Sequence, residues 1–306
     1  EKKYLFIFAI LMTLPPLIWG LAETLFLHTK DTLQLHSVGH VNHSAIYLCI
    51  ITSVAFSLLI NQLKRARQKY IFTTSLLLIL FIYCVILSQS RAAFGITILL
   101  ISFMILLSSL TKRLKALLLT VVGVFLVCII FVRPVKVIEK QILSQQENHS
   151  ILAGRENAWS TAFEIARLNP LLGIGGGNWK QIKIDQIKSS VESRGEIFYA
   201  EDYFLEGSHP HNIYLANLVD RGIFGLITFL SFMFIWLITL INSYKKFNQD
   251  SKAMLFIMGS FSAWTTIFGI GFVNTTFHHE NALLALFFLS LHLNYLRQKN
   301  QLKLFS

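Results

Sequence analysis

Residues 70–88, YIFTTSLLLILFIYCVILS, are the stretch that decides the fold of this chain. The stretch carries no charged side chain. In a helix it approaches the roughly 20 apolar residues needed to cross a bilayer core of about 30 Å. Because hydrocarbon offers no hydrogen-bond partners, the backbone must satisfy its own polar groups there, and a helix does so. The stretch therefore predicts a membrane-spanning helix.

Similar apolar runs fill most of the sequence. The chain is 54% hydrophobic and 14% charged, with a mean hydropathy of +0.58, whereas a soluble domain carries about 25% charged residues. The first run is the least regular, because Pro15 and Pro16 disturb a helix and Glu23 lies near its end. We predict an all-α fold, a polytopic transmembrane helical bundle of about eight spans, near residues 4–27, 44–60, 70–88, 92–110, 115–132, 222–243, 253–272 and 279–296.

The basic residues give the spans an orientation. The connections on one side of the predicted membrane are rich in Lys and Arg, whereas the short connections on the opposite side carry only Lys30 and Arg91. Since short cytoplasmic loops are enriched in Lys and Arg, the basic side is predicted to be cytoplasmic. The net charge of +11 is mostly this topological signal, and it does not indicate a nucleic-acid partner. The cytoplasmic connections contain Lys2, Lys3, Lys64, Arg65, Arg67, Lys69, Lys112, Arg113, Lys115, Lys245, Lys246, Lys252, Arg297, Lys299 and Lys303.

One polar block, residues 133–210, interrupts the apolar runs on the opposite side of the membrane. It is rich in carboxylates but also holds Trp159 and Trp179, so it is predicted to fold. A large structured loop in a compact fold is usually functional. The predicted organisation is five spans in residues 1–132, a loop domain of short helices in 133–221, and three spans with a cytoplasmic tail in 222–306.

Arg155 is a candidate site residue in this block. Residues 155–166 have helical periodicity, and Asn169-Pro170 ends the helix. An arginine in the first turn opposes the helix dipole, an arrangement that makes sense if both face a phosphate. A solvated arginine paired with a nearby carboxylate is the alternative.

Glycines follow that helix in the sequence Pro170-Leu171-Leu172-Gly173-Ile174-Gly175-Gly176-Gly177. Glycine permits tight turns and close backbone approach, so Gly175, Gly176 and Gly177 are candidates for a phosphate-binding nest. A plain tight turn is at least as compatible with this pattern. The Lys-Ser/Thr of a Walker A loop is absent.

His211 and Asn212 open a short amphipathic stretch, residues 213–220, and Arg221-Gly222 precedes the next span. This order places His211 near the outer membrane–water interface. An imidazole changes protonation near neutral pH, so it suits proton transfer. A histidine that simply caps a helix is the alternative interpretation. Asn212 is a candidate substrate-binding residue.

Arg91 is the only charged residue between Lys69 and Lys112. A charge beside hydrocarbon is costly and marks a functional-site candidate by default. Snorkelling to the interface is the alternative. The small residues around it, including Ser90 and Ala92, leave room for a ligand or for close helix packing.

A metal centre is not predicted. No HExxH motif is present, and no CxxC pair exists. Asn42 and His43 are better interpreted as substrate hydrogen-bonding or interface residues. The cysteines are expected to be small buried hydrophobes. The residues considered for metal binding or disulfides are His40, His43, His209, His211, His278, His279, Cys49, Cys84 and Cys128.

Three of these elements occur in an order that resembles a known family. They are Ser90-Arg91-Ala92 at the start of a span, the loop with Gly154-Arg155 and the glycine motif, and His209-Pro210-His211-Asn212 followed by Arg221-Gly222. Over about residues 35–296, the chain resembles the O-antigen ligase family. That family shares a superfamily with O-antigen polymerases and bacterial protein O-oligosaccharyltransferases. Its members usually have more N-terminal spans, so this chain is expected to be a fragment or a short variant.

The resemblance implies a multi-pass glycosyltransferase of the bacterial inner membrane, active on the periplasmic face. The implied donor is a glycan on undecaprenyl pyrophosphate, and the acceptor is a sugar hydroxyl of lipid A-core. The family's essential arginines correspond to Arg91 and Arg155, and its essential histidine corresponds to His211. Arg221 is a weaker candidate for a phosphate contact, and no metal or other cofactor is implied.

Other functions remain open at this point. An O-antigen polymerase or a protein O-oligosaccharyltransferase would use the same donor chemistry with another acceptor. A transporter of lipid-linked glycans would be marked by intramembrane charge, but charge is nearly absent from the spans. A non-catalytic scaffold would use the loop domain only to bind a partner.

Overall fold

The computed structural model describes residues 3–35, 38, 40–65, 68–132, 155–204, 209–277 and 279–299. Within these ranges the chain is all-α, as predicted, and contains no β-strand. Residues 133–154, the first part of the predicted loop domain, lie outside the described ranges. The helices are α1 (Lys3–Leu21), α2 (Val41–Lys64), α3 (Gln68–Leu87), α4 (Arg91–Leu107), α5 (Lys112–Val132), α6 (Arg155–Leu168), α7 (Ile184–Glu192), α8 (Ile213–Phe247), α9 (Ser251–Ile270) and α10 (His279–Gln298).

A helix is present at each of the eight predicted spans, namely α1 to α5 and α8 to α10. Among the residues that the structure describes, five segments are long and apolar enough to cross a membrane: Tyr4–Phe26, α2, α3, α8 and α9. Helix α4 is apolar but shorter, with 17 residues. The first segment includes Pro15 and Pro16 inside α1 and ends in a π-helical turn, Ala22–Phe26. The chain is therefore a polytopic helical membrane protein.

The chain divides into two compact units. The helical unit comprises Glu1–Glu139, Ile238–Gly269 and His278–Ser306, and the loop unit comprises Lys140–Leu237 and Ile270–Phe277. The loop unit thus takes in the first part of α8 and a short segment after α9, in addition to the polar block.

The core of the helical unit is built around α2, most of whose residues are buried. Small residues such as Ala45 and Ser53 let neighbouring helices approach closely, which favours packing inside a bilayer. Phe6 packs with Phe256 and Phe288, with ring centroids 5.3 Å apart in both pairs. These aromatic contacts tie α1 to α9 and α10.

The loop unit has a core of its own, in which α6, α7 and the start of α8 meet. Trp179, from a short 3₁₀ turn at Asn178–Gln181, is 2% exposed within it. Because residues of both α6 and α8 bury apolar area in one cluster, the helix that starts at Arg155 is held against the helix that follows His211. The fully or nearly buried members are Ala162, Ile165, Ala166, Trp179, Ile187, Val191, Leu215 and Val219.

Candidate functional site

A sharp corner of the backbone carries His211. The residue has a φ of 49°, a left-handed conformation that is uncommon and costs a non-glycine residue free energy. Its backbone N–H donates to Nδ1 of His209 at 3.2 Å, and the two rings meet edge to face with centroids 4.3 Å apart. Nδ1 of His209 also lies 3.1 Å from the Thr275 hydroxyl. Both contacts meet at Nδ1 of His209, so this ring ties the His211 backbone to the segment that carries Thr275.

Asn212 fixes the corner from the other side. Its Oδ1 accepts the backbone N–H groups of Tyr214 and Leu215, at 2.9 and 3.0 Å, which caps the start of α8. Its Nδ2 donates to the Phe272 carbonyl at 3.0 Å, and the residue is 7% exposed. Both ends of the amide therefore bond the protein backbone. This geometry suits Asn212 to positioning His211 rather than to contacting a ligand.

Arg221 is oriented by a ladder of two successive side-chain hydrogen bonds along α8. The Asn217 side chain donates to the Ile213 carbonyl at 2.8 Å and accepts from Nη1 of Arg221 at 2.9 Å. Residues four apart lie on one helix face, so the ladder directs the guanidinium toward the helix start, where His211 stands. Arg221 is exposed, which leaves its other N–H groups accessible to an anion.

The glycine motif forms a clasp, defined by residues 170–175 against residues 219–223. The N–H of Ile174 donates to the Val219 carbonyl at 2.9 Å, and that of Gly175 to the Asp220 carbonyl at 3.0 Å. The N–H of Ile223 donates to the Pro170 carbonyl at 2.9 Å. Because these N–H groups bond the protein, this part of the motif works as a turn that grips α8.

Glycine is required where the clasp is tightest. Gly222 interrupts α8 with φ 64° and ψ −165°, and a Cβ there would lie 2.2 Å from the Leu171 carbonyl oxygen. A Cβ on Gly173 would lie 2.5 Å from the Arg221 nitrogen. By contrast, a Cβ on Gly176 or Gly177 would meet nothing within 4 Å. These two glycines stay candidates for ligand contact.

Arg155 is the first residue of α6 and is half-buried. The predicted helix and its end before Pro170 are confirmed. Two side chains tie the first half of α6 to the segment that leads toward His209: Asn157 bonds the Glu201 carbonyl, and the Thr161 hydroxyl accepts the Phe204 N–H at 2.8 Å. Arg155 and His211 thus belong to connected parts of the same unit.

A buried carboxylate anchors the other half of α6. Glu164 is 5% exposed and receives Arg194 in a fork, at 2.9 and 3.0 Å, together with Arg167 at 2.6 Å. Arg194 also binds Glu196, at 2.9 and 3.1 Å. The hydrogen bonds from Arg194 hold the pKa of Glu196 below its ordinary value. Bidentate pairs of this kind fix geometry, so the network holds α6 in place.

Arg91, Asn42 and His43 belong to the helical unit. Arg91 begins α4 after Gln89, which has a φ of 53°. Asn42 lies in the first turn of α2, where its N–H donates to Nδ1 of His40 at 3.2 Å. All three candidates are half-buried. Since α2 and α4 both start on the predicted outer side, these residues share one end of the helical unit.

No group of three or more His, Cys, Asp or Glu side chains suited to a metal occurs in the described parts of the chain. His278 and the side chain of His279 lie outside what the structure describes. Sequence reasoning missed Asn217, Thr275 and Glu164. The i, i+4 spacing of Asn217 and Arg221 was the available signal for the first, whereas the other two depend on tertiary contacts.

Comparisons with known proteins place the chain among similar sequences. A family model described as O-antigen ligase matches residues 76–230, just over half of the chain. That range contains Arg91, Arg155, His211 and Arg221. A Rickettsia felis protein named "Putative polysaccharide ligase" is 27% identical over 234 residues, which cover 74% of this chain and 51% of that protein. The chain thus spans about half the length of this curated relative.

Proposed function

Because the chain belongs to the O-antigen ligase family, we propose that it is a ligase-type glycosyltransferase of the bacterial inner membrane. It moves a glycan from undecaprenyl pyrophosphate to a sugar hydroxyl of lipid A-core, on the periplasmic face. In this reaction the acceptor oxygen bonds to the anomeric carbon of the glycan as the bond to the pyrophosphate oxygen breaks. A single displacement inverts the anomeric configuration.

In this proposal the arginines stabilise the negative charge that develops on the leaving pyrophosphate. A guanidinium binds phosphate oxygens in a fork and stays charged, so Arg91 and Arg155 are proposed to clamp the pyrophosphate. Arg155 is well suited, since it lies in the first turn of α6, where the helix dipole favours anions. Arg221, aimed by Asn217, is proposed as a further contact. Such contacts strengthen as the negative charge grows in the transition state.

His211 is proposed to take the proton of the acceptor hydroxyl as that oxygen attacks. General-base assistance of this kind contributes about 10²–10⁴-fold to the rate. The observation that carries the assignment is the corner itself: an unfavourable φ at His211 is maintained by His209 and by the Asn212 cap. A fold that keeps such strain over-determines the position of the side chain.

An apolar groove in the helical unit supports a lipid-linked donor. It has a volume of about 460 Å³ and lies among α2, α3, α4 and α5. Its lining includes Phe94, one turn from Arg91, as well as Ile86, Leu59 and Val122. An isoprenoid chain is apolar and flexible, so it fits such a groove while its pyrophosphate stays at the interface.

The test is transfer in vitro from undecaprenyl-pyrophosphate glycan to purified lipid A-core, in vesicles that contain the full chain. Wild type is expected to form the product, and His211→Ala is expected to lose about 10²–10⁴-fold in rate. The matched control is His28→Ala, because His28 is an exposed histidine of the helical unit. That variant should keep the wild-type rate.

Four other outcomes would contradict the proposal or a part of it. Donor consumed into longer glycans without lipid A-core would indicate a polymerase, and donor consumed onto protein would indicate an O-oligosaccharyltransferase. Movement of the donor across the membrane without a covalent product would favour a transporter. A product with retained anomeric configuration would exclude the single displacement.

A further inference from the structure

Two leucines at the tip of the clasp are exposed in a way that the proposed chemistry does not explain. Leu171 is 57% exposed and Leu172 is 76% exposed. They occupy the turn that the Gly173 N–H closes by donating to the Asn169 carbonyl at 2.9 Å. Adjacent exposed leucines at a loop tip cost free energy in water, so they indicate a surface that meets something apolar.

The clasp holds this turn against α8 just after the break in that helix. The carbonyls of Pro170 and Leu171 accept the N–H groups of Ile223 and Phe224, at 2.9 and 3.5 Å. These donors are the first residues after the break at Gly222. Since the long apolar part of α8 starts there, the two leucines lie beside the first turn of a membrane span.

The surface of α8 next to the turn is apolar and exposed as well. Ile223, Phe224 and Ile227 are 37%, 58% and 53% exposed. In a span of mean hydropathy 2.4, exposed apolar side chains are those that face lipid. Leu171 and Leu172 adjoin this lipid-facing surface of α8.

The composition of the turn agrees with contact to lipid. No charged residue occurs between Arg167 and Lys180. The N–H groups of Gly173, Ile174 and Gly175 are all bonded within the protein. A turn that bonds three successive backbone N–H groups within the protein, and whose side chains are uncharged, has a lowered desolvation cost for entering the upper part of a leaflet.

We propose that Leu171 and Leu172 form a wedge that inserts into the outer leaflet of the membrane beside α8, with lipid acyl chains as its partner. The wedge fixes the depth of the loop unit, because the same clasp holds Arg221 and the helix that follows His211. It thereby keeps these side chains at the level of lipid headgroups. The insertion itself does not depend on the proposed function.

The test measures the environment of position 172 directly. A Leu172→Cys variant, with Cys49, Cys84 and Cys128 replaced by alanine, is labelled with the fluorophore NBD and reconstituted into phospholipid vesicles. The matched control is Lys188→Cys in the same background, because Lys188 is 51% exposed and pairs with Glu192 on a solvated face. Leu171→Cys provides a second position in the wedge.

We expect the label at 172 to be blue-shifted, quenched by spin-labelled lipid and protected from aqueous iodide. The label at 188 should show the opposite pattern. Strong iodide quenching at 172 without lipid quenching would overturn the proposal, because the turn would then be solvated. Protection from both quenchers would also overturn it, since a protein surface, such as a second copy of this chain, would then cover the leucines. Neither measurement uses glycan transfer, so its outcome is independent of the proposed activity.

Discussion

Asparagine side chains do much of the positioning around His211 and Arg221. Asn212 caps α8 and bonds the Phe272 carbonyl, and Asn217 holds the Arg221 guanidinium. An amide can donate and accept at once, so a single side chain links two backbone segments or a backbone segment and a cation.

Replacing Arg155 with lysine tests whether the fork of the guanidinium matters beyond its charge. We expect Arg155→Lys to lower the transfer rate by about 10²-fold, because a point charge cannot bind two phosphate oxygens in a plane. The measurement is the initial rate at saturating donor. Arg167→Lys is the matched control, since Arg167 lies on the same helix and pairs with Glu164. Equal rates for wild type and Arg155→Lys would argue against the clamp.

The break in α8 and the clasp that grips it depend on each other. Without a side chain at 222, the Leu171 carbonyl can approach the helix closely enough for the Ile223 N–H to reach Pro170. The first two turns of α8 can then pack against α6 while the remainder crosses the membrane. One glycine therefore separates the part of the helix that serves the site from the part that serves as a span.

Gly222→Ala should destabilise the loop unit by about 1–3 kcal/mol from backbone strain alone, since φ 64° with ψ −165° is essentially restricted to glycine. The clash with the Leu171 carbonyl adds to this cost. Thermal unfolding in detergent, followed by tryptophan fluorescence, measures the effect. Gly176→Ala is the control in the same loop, where a Cβ meets nothing within 4 Å. A similar melting temperature for both variants would show that the clasp is dispensable.

The Glu164–Arg194–Glu196 network predicts that the stability of the loop unit depends on pH. Arg194 lowers the pKa of Glu196 from its ordinary value of 4.5. A carboxyl whose folded-state pKa is depressed contributes stability above its unfolded-state pKa and loses it as the pH falls through the folded-state value. Glu196→Gln should therefore lower the melting temperature at neutral pH, and this effect should shrink at acidic pH, below the ordinary value of 4.5.

Glu192→Gln provides the comparison for this experiment. Glu192 is exposed and faces Lys188 at 3.9 Å, too far for a strong hydrogen bond. We expect little change in the melting temperature of that variant at either pH. A Glu196→Gln effect that persists in acid would mean that packing, rather than the ion pair, accounts for it.

The two units divide the proposed task. The helical unit carries Arg91 and the apolar groove, whereas the loop unit carries Arg155, His211 and Arg221. The lipid part of a donor is apolar and its pyrophosphate is charged, so the two parts need different environments. A polytopic bundle supplies the first environment, and a polar domain with its own core supplies the second.

In the proposed mechanism guanidinium groups neutralise the pyrophosphate, so a divalent metal has no necessary role in the reaction. We expect protein treated with EDTA to keep its full rate of transfer, measured with donor and acceptor freed of metal by the same treatment. Added Mg²⁺ or Mn²⁺ should not raise that rate. Loss of transfer on chelation, restored by one of these ions, would show that the arginines alone do not carry the charge.

The sequence by itself determined the fold class and the helix positions. The fold class and helix positions follow from local signals, namely the apolar runs, Pro170 and the order of His211, Arg221 and Gly222. Each predicted helix is present at the segment whose local sequence predicted it. The physical reason is that a bilayer allows few alternatives: a long apolar run must satisfy its own backbone hydrogen bonds, and it does so as a helix.

Only the tertiary structure decided how the polar side chains are used. Gly175 and Asn212 were predicted to contact the substrate, yet the N–H of one and the amide of the other bond distant backbone carbonyls at Asp220 and Phe272. Thr275 and Glu164 gained their roles from partners far along the chain. The type and spacing of residues reveal which hydrogen bonds a side chain can make, but the partner that it finds depends on how the helices pack.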